Sequence, residues 1–349
     1  MSVSLISGLT LTILGAVFAG ALGLLLRLQQ RYAWENTWLL SQLVAMILLP
    51  TIAAQLLLSH WSAAIRMVPT SIVLIVIALG FMWGIGSVAF AIGIDRIGLS
   101  LGYAMIMGVV TSVGAGIPMI RKWDAIPHQA RIVTLCGIGV CLVGVALYGR
   151  AGLLRERGEG APLPDNSSGT IAKAGSKVMI VGLSWCLLSG ILSACSNIGF
   201  DFAAPIASAV ERMGAKPLSA SLVRWIPVFW GGYLAVILFS GVSLLRKRTW
   251  ENFTKSGTGL DFIRAVGLGT LSFVAQWLYG MGASELGLLG TSVGYAVFLA
   301  LSIIVALVFG FMLGEWKHAT RRSLHVLYVG AGVLIAAVVI LAYGSSLTT

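Results

Sequence analysis

The chain has 349 residues, of which 58% are hydrophobic and only 10% are charged, against roughly 25% charged in soluble domains. A soluble fold of this length could not bury so much apolar surface, and the four cysteines lie inside apolar runs, which excludes a disulfide-stabilised secreted domain. The net charge of +11 comes from basic residues scattered between the apolar runs, so we expect a membrane protein that binds no nucleic acid.

Ten apolar runs are long enough to cross a hydrocarbon core of about 30 Å, which requires about 20 residues per helix. The first run has no basic region before it and no small-residue cleavage site after it, so we expect it to be a retained helix. The sequence therefore predicts an all-α, polytopic membrane protein with ten transmembrane helices. The predicted spans are 7–26, 36–58, 71–93, 99–120, 132–149, 178–203, 219–243, 265–285, 290–313 and 324–344.

A polar, turn-rich segment at 151–177 divides the chain into a five-helix unit at 1–150 and another at 178–349. The two units share a short pattern, Gly-x-Ser-x-Gly-Tyr, which occurs at 98–103 and again at 290–295. Because each unit has an odd number of spans, the second must be inverted relative to the first. Inverted repeats are typical of secondary transporters that work by alternating access.

Basic residues are unequally shared among the segments that join the runs. The segments after the first, third, fifth, seventh and ninth runs hold sixteen of the 23 Lys and Arg residues, and the other joining segments hold six. Because Lys and Arg stay on the cytoplasmic side of a membrane, we expect the first set to be cytoplasmic. This orientation places both termini outside.

Polar residues inside the spans indicate a binding site, because an unsatisfied polar group in hydrocarbon costs several kcal/mol. Hydroxyls, amides and aromatic faces with few charges suit a neutral polyol, and a structural alternative is that they bond neighbouring helices. The predicted substrate-binding residues are Trp83, Asn197, Gln276, Trp277 and Tyr279.

Titratable groups within the spans are scarce. Asp201 lies near the predicted outer end of its span, where it either forms a structural pair with Arg224 or carries the coupled proton. Glu285 is expected to be solvated. Two further acidic residues lie at inner helix ends, where we expect them to anchor the interface or to pair with nearby cations: Glu35 with Arg31, and Glu315 with Lys317.

Signatures of enzymes are missing from the sequence. There is no His-Glu-x-x-His motif, no cysteine pair at zinc spacing and no phosphate-binding loop. We therefore expect no catalytic activity, no cofactor and no metal site.

Several segments resemble the L-rhamnose–proton symporter family of the drug/metabolite transporter superfamily, in order and over nearly the whole chain. They are 34–38 (Trp-Glu-Asn-Thr-Trp), 81–86 (Phe-Met-Trp-Gly-Ile-Gly), 97–102, 150–157, 279–283 (Tyr-Gly-Met-Gly-Ala), 289–295 and 314–317 (Gly-Glu-Trp-Lys). The resemblance implies uptake of a 6-deoxyhexose with a proton across a bacterial inner membrane. The chain departs from the family's pattern at 24–27, where the family often has a proline and a lysine-rich turn, and at Asp201, where we expect an uncharged residue.

The sequence thus predicts a secondary transporter that imports L-rhamnose or a related neutral sugar by proton symport, with Asp201 in the coupling role. Sodium as the coupling ion, another small metabolite as cargo, and export instead of import are the alternatives within the superfamily. A sugar receptor is disfavoured because the longest loop has fewer than thirty residues. The partners are the sugar, the coupling ion and the lipid bilayer, and the sequence does not determine an oligomeric state.

Overall fold

The computed structural model describes residues 3–58, 60–158 and 176–348, and this part of the chain is almost entirely helical, with no strand. Ten long helices follow one another. They are α1 (Val3–Arg27), α2 (Trp34–Leu57), α3 (Thr70–Ile97), α4 (Leu99–Arg121), α5 (His128–Gly158), α6 (Ser176–Phe202), α7 (Pro217–Lys247), α8 (Gly259–Glu285), α9 (Tyr295–Met312, preceded by a π-helical turn at Gly290–Gly294) and α10 (Arg321–Ser346).

Each of the ten predicted spans coincides with one of these helices, and the prediction of an all-α, polytopic membrane protein is confirmed. Within the described ranges, nine helical stretches are long and apolar enough to cross a membrane, and α8 is the remaining long helix. The sequence did not predict two short helices, Trp61–Met67 and Ala204–Arg212. Helix α5 extends to Gly158, into the predicted linker at 151–177, whose central part lies outside the described residues.

Successive helices begin and end at alternate ends of the molecule. At one end, the last residue of α1 and the last turns of α5 both meet Glu315, which follows α9, and the segment between α1 and α2 bonds to the start of α8. At the opposite end, the residue after α4 and the turn before α9 meet the last turn of α6, and the last residue of α8 meets the start of α1. We call these the inner end and the outer end, after the orientation that the basic residues predict.

Most of the helix contacts pair a helix of one half with a helix of the other. Helix α3 packs on α6 and α1 packs on α8; likewise α4 packs on α6 and α1 on α9. Helix α5 packs along α10, and α2 touches α7. Exchanging the first five helices for the last five, in order, converts the α3–α6 pair into α1–α8 and the α4–α6 pair into α1–α9, and leaves the α5–α10 and α2–α7 pairs unchanged.

Glycines allow the closest helix contacts. In α1, a Cβ added at Gly15 would lie 2.8 Å from the carbonyl oxygen of Ala275 and 3.0 Å from the backbone nitrogen of Tyr279 in α8. In α3, Gly80 lies directly against the backbone of Val228 in α7. Since only a residue without a side chain permits such approach, these glycines set the distance between the helices.

A buried carboxylate anchors the segment that joins α1 to α2. Asp261, in the first turn of α8, accepts hydrogen bonds from the backbone N–H groups of Gln30, Arg31 and Tyr32 at 3.2, 2.7 and 3.2 Å. Burial, together with the Asp261 charge, raises the pKa of the Tyr32 phenol, so that Tyr32 stays protonated. The carboxylate thereby ties both halves together at the inner end.

The partners expected for two inner-end acids are wrong. The carboxylate of Glu35 accepts hydrogen bonds from Lys247 at 3.1 Å and Thr249 at 2.8 Å, because the end of α7 packs beside the start of α2. The carboxylate of Glu315 pairs with Arg27 at 2.5 Å, because α9 ends beside the end of α1.

Glu285, expected to be solvated, accepts a hydrogen bond from Ser7 at 3.0 Å at the outer end. In all three cases the observed partner lies far away in the sequence. Local sequence neighbours therefore do not identify the partners of these acids.

Candidate functional site

A cavity of about 270 Å³ lies between the two halves. Its walls come from the inner half of α1 and α2 and from the middle of α3, α7, α8 and α9. Among the residues that line it are Trp38, Gln42, Met46, Trp83, Ser87, Phe229, Ser272, Phe273, Gln276, Phe298, Leu299 and Ser302. All of its lining residues are uncharged. The volume lies just below the roughly 300–1,000 Å³ of pockets for drug-sized ligands, which suits a ligand as small as a monosaccharide.

Five polar side chains of the cavity wall lack partners in the described part of the protein, whereas the hydroxyls of Ser272 and Ser302 donate to backbone carbonyls. The carboxamides of Gln42 and Gln276 make no hydrogen bond there, and neither do the indole N–H groups of Trp38 and Trp83 or the hydroxyl of Ser87. Amides offer both a donor and an acceptor. The site therefore presents hydrogen-bonding groups of both kinds beside aromatic rings, which is the chemistry that a neutral polyhydroxylated ligand requires.

A π-helical turn at Val44–Leu48 interrupts α2 beside the cavity. Pro50 follows it and has no N–H to donate to the carbonyl of Met46 four residues earlier. Ala45 and Met46, within the turn, both line the cavity. The local sequence thus places an irregular turn of helix where the ligand would lie, as π-turns often do at functional sites.

The structure brings two of the five predicted substrate-binding residues into the cavity wall. Trp83 contributes from α3 and Gln276 from α8. Trp277 lies behind the wall, with its ring stacked on that of Phe273 at 5.6 Å between centroids. Its indole nitrogen is buried without a hydrogen-bond partner in the described residues.

Asn197 and Tyr279 lie apart from the cavity, in a closed network towards the outer end. Both side chains are fully buried. The Asn197 amide donates to the carbonyl oxygens of Gly114 at 2.8 Å and Thr291 at 2.7 Å, and its oxygen accepts a hydrogen bond from the Tyr279 hydroxyl. These contacts join α4, α6, α8 and the π-turn before α9.

An aromatic layer separates this network from the cavity. The ring of Tyr279 lies 5.0 Å from that of Phe298, which lines the cavity, and 5.6 to 6.1 Å from three further rings, those of Tyr295, Phe200 and Trp225. Phe200, Trp225 and Tyr279 are almost completely buried. The layer closes the molecule between the cavity and the outer end.

Asp201 is held by two cations at the outer end. Its carboxylate pairs with Arg121 and, at 2.7 Å, with Lys122, and it accepts a hydrogen bond from Thr291 at 2.8 Å. Only 4% of Asp201 is exposed. The carboxylate therefore connects the end of α6 to the end of α4 and the start of α9; we call these four residues the outer cluster.

The alternative pairing of Asp201 with Arg224 does not form. Arg224 donates instead to the carbonyl oxygen of Phe200 at 3.0 Å, with its guanidinium over the Phe200 ring. Arg121, the last residue of α4, and Lys122, directly after it, pair with Asp201 instead.

Most cavity residues were not singled out from the sequence, among them the polar or aromatic residues Trp38, Gln42 and Ser87. Trp38, Gln42 and Met46 follow one another at intervals of four, which places them on one face of α2. This spacing was the available signal. It was obscured because Glu35, Asn36 and Ser41 make the whole start of the helix polar.

A second cavity, also of about 270 Å³, lies at the inner end. It contains the ion pair of Arg27 and Glu315, with Arg155 at 3.9 Å from the same carboxylate. Gly20 in α1 packs against Val305 and Ser302 in α9 between the two cavities. The inner end thus carries charged residues around an opening, and the central cavity carries none.

Comparison with known proteins gives consistent relatives. The chain is 27% identical to the L-rhamnose-proton symporter of Cronobacter sakazakii over 353 residues, with 99% of each chain covered. It is 27% identical to that of Salmonella gallinarum and 25% identical to that of Citrobacter koseri, each over 352 residues and again with 99% of both chains covered. These relatives are named as transporters, not as enzymes. The family model described as L-rhamnose-proton symport protein (RhaT) matches residues 1–347, and the chain belongs to this family of multi-pass membrane transporters.

Proposed function

We propose that the protein imports L-rhamnose or a closely related 6-deoxyhexose together with a proton, by alternating access across a bacterial inner membrane. In this proposal both termini face outwards, and the sugar binds in the central cavity. The relatives named above are L-rhamnose-proton symporters, and the chain aligns with them along its whole length.

The observation that carries the proposal is the chemistry of the central cavity. Every residue that lines it is uncharged, and its unpartnered amides and indoles offer hydrogen bonds to hydroxyl groups. A charged cargo would have to give up its hydration without an opposite charge to meet it, which is unfavourable in a buried site. We assign Trp83 and Gln276 to direct sugar contacts.

Asn197, Tyr279 and Trp277 support this site from behind. Asn197 and Tyr279 fix the outer wall through their buried hydrogen bonds, and Trp277 packs on Phe273, which lines the cavity. Contacts made during another stage of the transport cycle would require these residues to lose their present partners.

The way the halves pack supports alternating access. The helix pairs are interchanged when the two halves are exchanged, and α6 starts at the inner end, where Arg96 at the end of α3 lies over Trp185. Helix α1 starts at the outer end. Two inverted halves around one central site can present that site to either side.

Asp201 is our proposed proton acceptor. Taking up a proton from the outer side would remove its negative charge and weaken its hold on Arg121 and Lys122. The outer cluster could then separate and open the path to the cavity. In symport the proton stays bound while the site turns inwards and leaves on the inner side with the sugar, and its loss would restore the negative charge that holds the outer cluster together.

Uptake of labelled L-rhamnose into proteoliposomes with an imposed inward proton gradient tests the function. We expect accumulation that a protonophore abolishes, and weaker uptake by Gln276→Ala at equal protein content. Accumulation that requires sodium would replace the proton as the coupling ion. No uptake by protein verified as folded would contradict the proposed cargo.

Asp201→Asn tests the coupling role. The variant should exchange labelled for unlabelled sugar across the membrane but should not accumulate sugar when a proton gradient is applied. Glu211→Gln, a change at an exposed acid in the short helix Ala204–Arg212, is the matched control. Proton-driven accumulation by Asp201→Asn at the normal level would exclude Asp201 as the proton carrier.

A further inference from the structure

Gln42 in α2 is a buried polar residue that lines the central cavity. It is 94% buried, being 6% exposed, yet its carboxamide has no hydrogen-bond partner in the described part of the chain, and it lines the central cavity. Neither amide atom is among the fully buried, unpartnered polar atoms of the described residues, so the carboxamide keeps accessible surface with which it can donate and accept hydrogen bonds. Its position is therefore explained if a ligand in the cavity supplies the hydrogen bonds.

Three other polar side chains of α2 bond to protein groups, whereas the buried hydroxyl of Thr37, which does not line the cavity, has no partner in the described residues. Asn36 donates to the carbonyl oxygen of Thr249 at 2.9 Å, and Ser41 donates to that of Trp38 at 3.2 Å. Gln55, in the last turns of the same helix, accepts a hydrogen bond from the Trp61 indole at 3.2 Å. Gln42 differs from these residues because its side chain faces the cavity.

A second unpartnered carboxamide, that of Gln276, lines the same cavity from α8. Helices α2 and α8 belong to different halves of the chain and pack against each other. Each carboxamide has an oxygen that accepts and an N–H₂ group that donates, and so can bind two neighbouring hydroxyls at once. The cavity thus contains two carboxamides, one from each half of the chain, and each can form hydrogen bonds with hydroxyl groups of a sugar.

We propose that Gln42 is a specificity-determining residue, which together with Gln276 forms an amide pair that recognises hydroxyl groups on two different parts of the transported sugar. Trp38, one turn before Gln42, supplies an indole on the same wall. Met46, Phe298 and Leu299 supply apolar lining for the deoxygenated carbon. The inference rests on the proposed function and adds the residues that select among sugars of one size.

The test compares sugars that lack one hydroxyl at a time. Uptake of L-rhamnose and of its singly deoxygenated analogues is measured for the wild type, Gln42→Ala and Gln276→Ala. We expect Gln42→Ala to raise the KM for L-rhamnose by roughly five- to thirty-fold, the loss expected for one or two hydrogen bonds. One analogue lacks the hydroxyl that Gln42 binds. For that analogue, the KM should be the same in Gln42→Ala as in the wild type.

The two amides should give different patterns. The analogue that is insensitive to Gln42→Ala should remain sensitive to Gln276→Ala, and another analogue should behave in the opposite way. Gln55→Ala is the matched control because it removes the same side chain from the same helix away from the cavity. It should leave every KM unchanged.

Quenching of tryptophan fluorescence by L-rhamnose in detergent gives the same comparison for binding without transport. If Gln42→Ala does not fold, Gln42→Asn replaces it in both assays. For each deoxygenated analogue, the affinity relative to L-rhamnose is compared between the wild type and Gln42→Ala. If this ratio is the same in both proteins for every analogue, Gln42 binds no hydroxyl and the inference is wrong. If the wild type neither binds nor transports L-rhamnose, the proposed function fails instead. The two failures are thereby distinguished.

Discussion

Lys122 and Glu315 lie 193 residues apart, each directly before a tryptophan, and each forms an ion pair that joins the two halves of the chain. Lys122 follows α4 and pairs with Asp201 in the last turn of α6. Glu315 follows α9 and pairs with Arg27, the last residue of α1. Equivalent positions therefore close opposite ends of the molecule with charges of opposite sign.

The two ion pairs should differ in strength because they differ in burial. The side chain of Asp201 is 2% exposed, whereas those of Arg27 and Glu315 are 57% and 27% exposed. The partners of Asp201, Arg121 and Lys122, are 40% and 29% exposed and stay partly hydrated, so Asp201→Ala should destabilise the protein by about 1.5–3 kcal/mol, the range for hydrogen bonds to a charged group. Glu315→Ala should cost under about 1 kcal/mol, as expected for an exposed pair.

Thermal unfolding in detergent measures both changes under the same conditions. Equal effects of the two variants, or a larger effect at Glu315, would contradict the ranking of the two ends.

Tyr279→Phe removes one hydroxyl from the closed network around Asn197. The Asn197 oxygen would then be left without its donor at a fully buried position. We expect a loss of about 1–3 kcal/mol in stability, with the KM for sugar changed much less than in Gln276→Ala. Tyr343→Phe, at an exposed position in α10, is the control and should be neutral. A large KM effect without a loss of stability would instead assign Tyr279 to the sugar.

Gly15→Ala should separate α1 from α8. The added methyl group would lie 2.8 Å from a backbone oxygen that cannot rotate away, and overpacking of this kind costs typically 1–3 kcal/mol. Gly23→Ala in the same helix meets nothing within 4 Å and should be neutral or slightly stabilising. The midpoints of thermal unfolding compare the two variants, and equal midpoints would mean that the helices can move apart freely.

Asp261→Ala should release the segment between α1 and α2. Three backbone N–H groups would lose a charged acceptor, which we expect to cost about 3 kcal/mol. The control is Asp95→Ala, because Asp95 is exposed near the end of α3. Faster proteolysis within 28–33 in Asp261→Ala, with unchanged cleavage in the control, checks the local cause. Unchanged cleavage in both variants would show that other contacts hold the segment.

The long helices could be predicted because a helix that crosses a membrane must be apolar over its whole length. The predicted bounds differ from the observed ones mainly where polar residues extend a helix beyond the apolar core, as at the end of α5. The short helix Ala204–Arg212 was missed because only one of its faces is buried. Its nine residues are too few to cross a membrane.

The candidate site could be predicted only in part. Trp83 and Gln276 were identified because each is polar or aromatic in an otherwise apolar span, and in the structure both side chains line the central cavity. Asn197 satisfied the same criterion, but carbonyl oxygens from α4 and from the turn before α9 occupy its amide. Such partners depend on how distant segments meet, which periodicity within one helix does not determine.

The packing of α1 against α8 and α9 has a consequence for how the chain is made. When α1 enters the membrane, the helices that pack on its glycines have not yet been synthesised. This first helix therefore remains surrounded by lipid until almost the whole chain has been made. Helices α3 and α4 likewise lack their contacts with α6 until α6 has been synthesised. The first half therefore cannot complete its packing before the second half is made, and a ribosome that stalls after α7 would leave α1 without its contacts to α8 and α9, and so open to the cell's quality control.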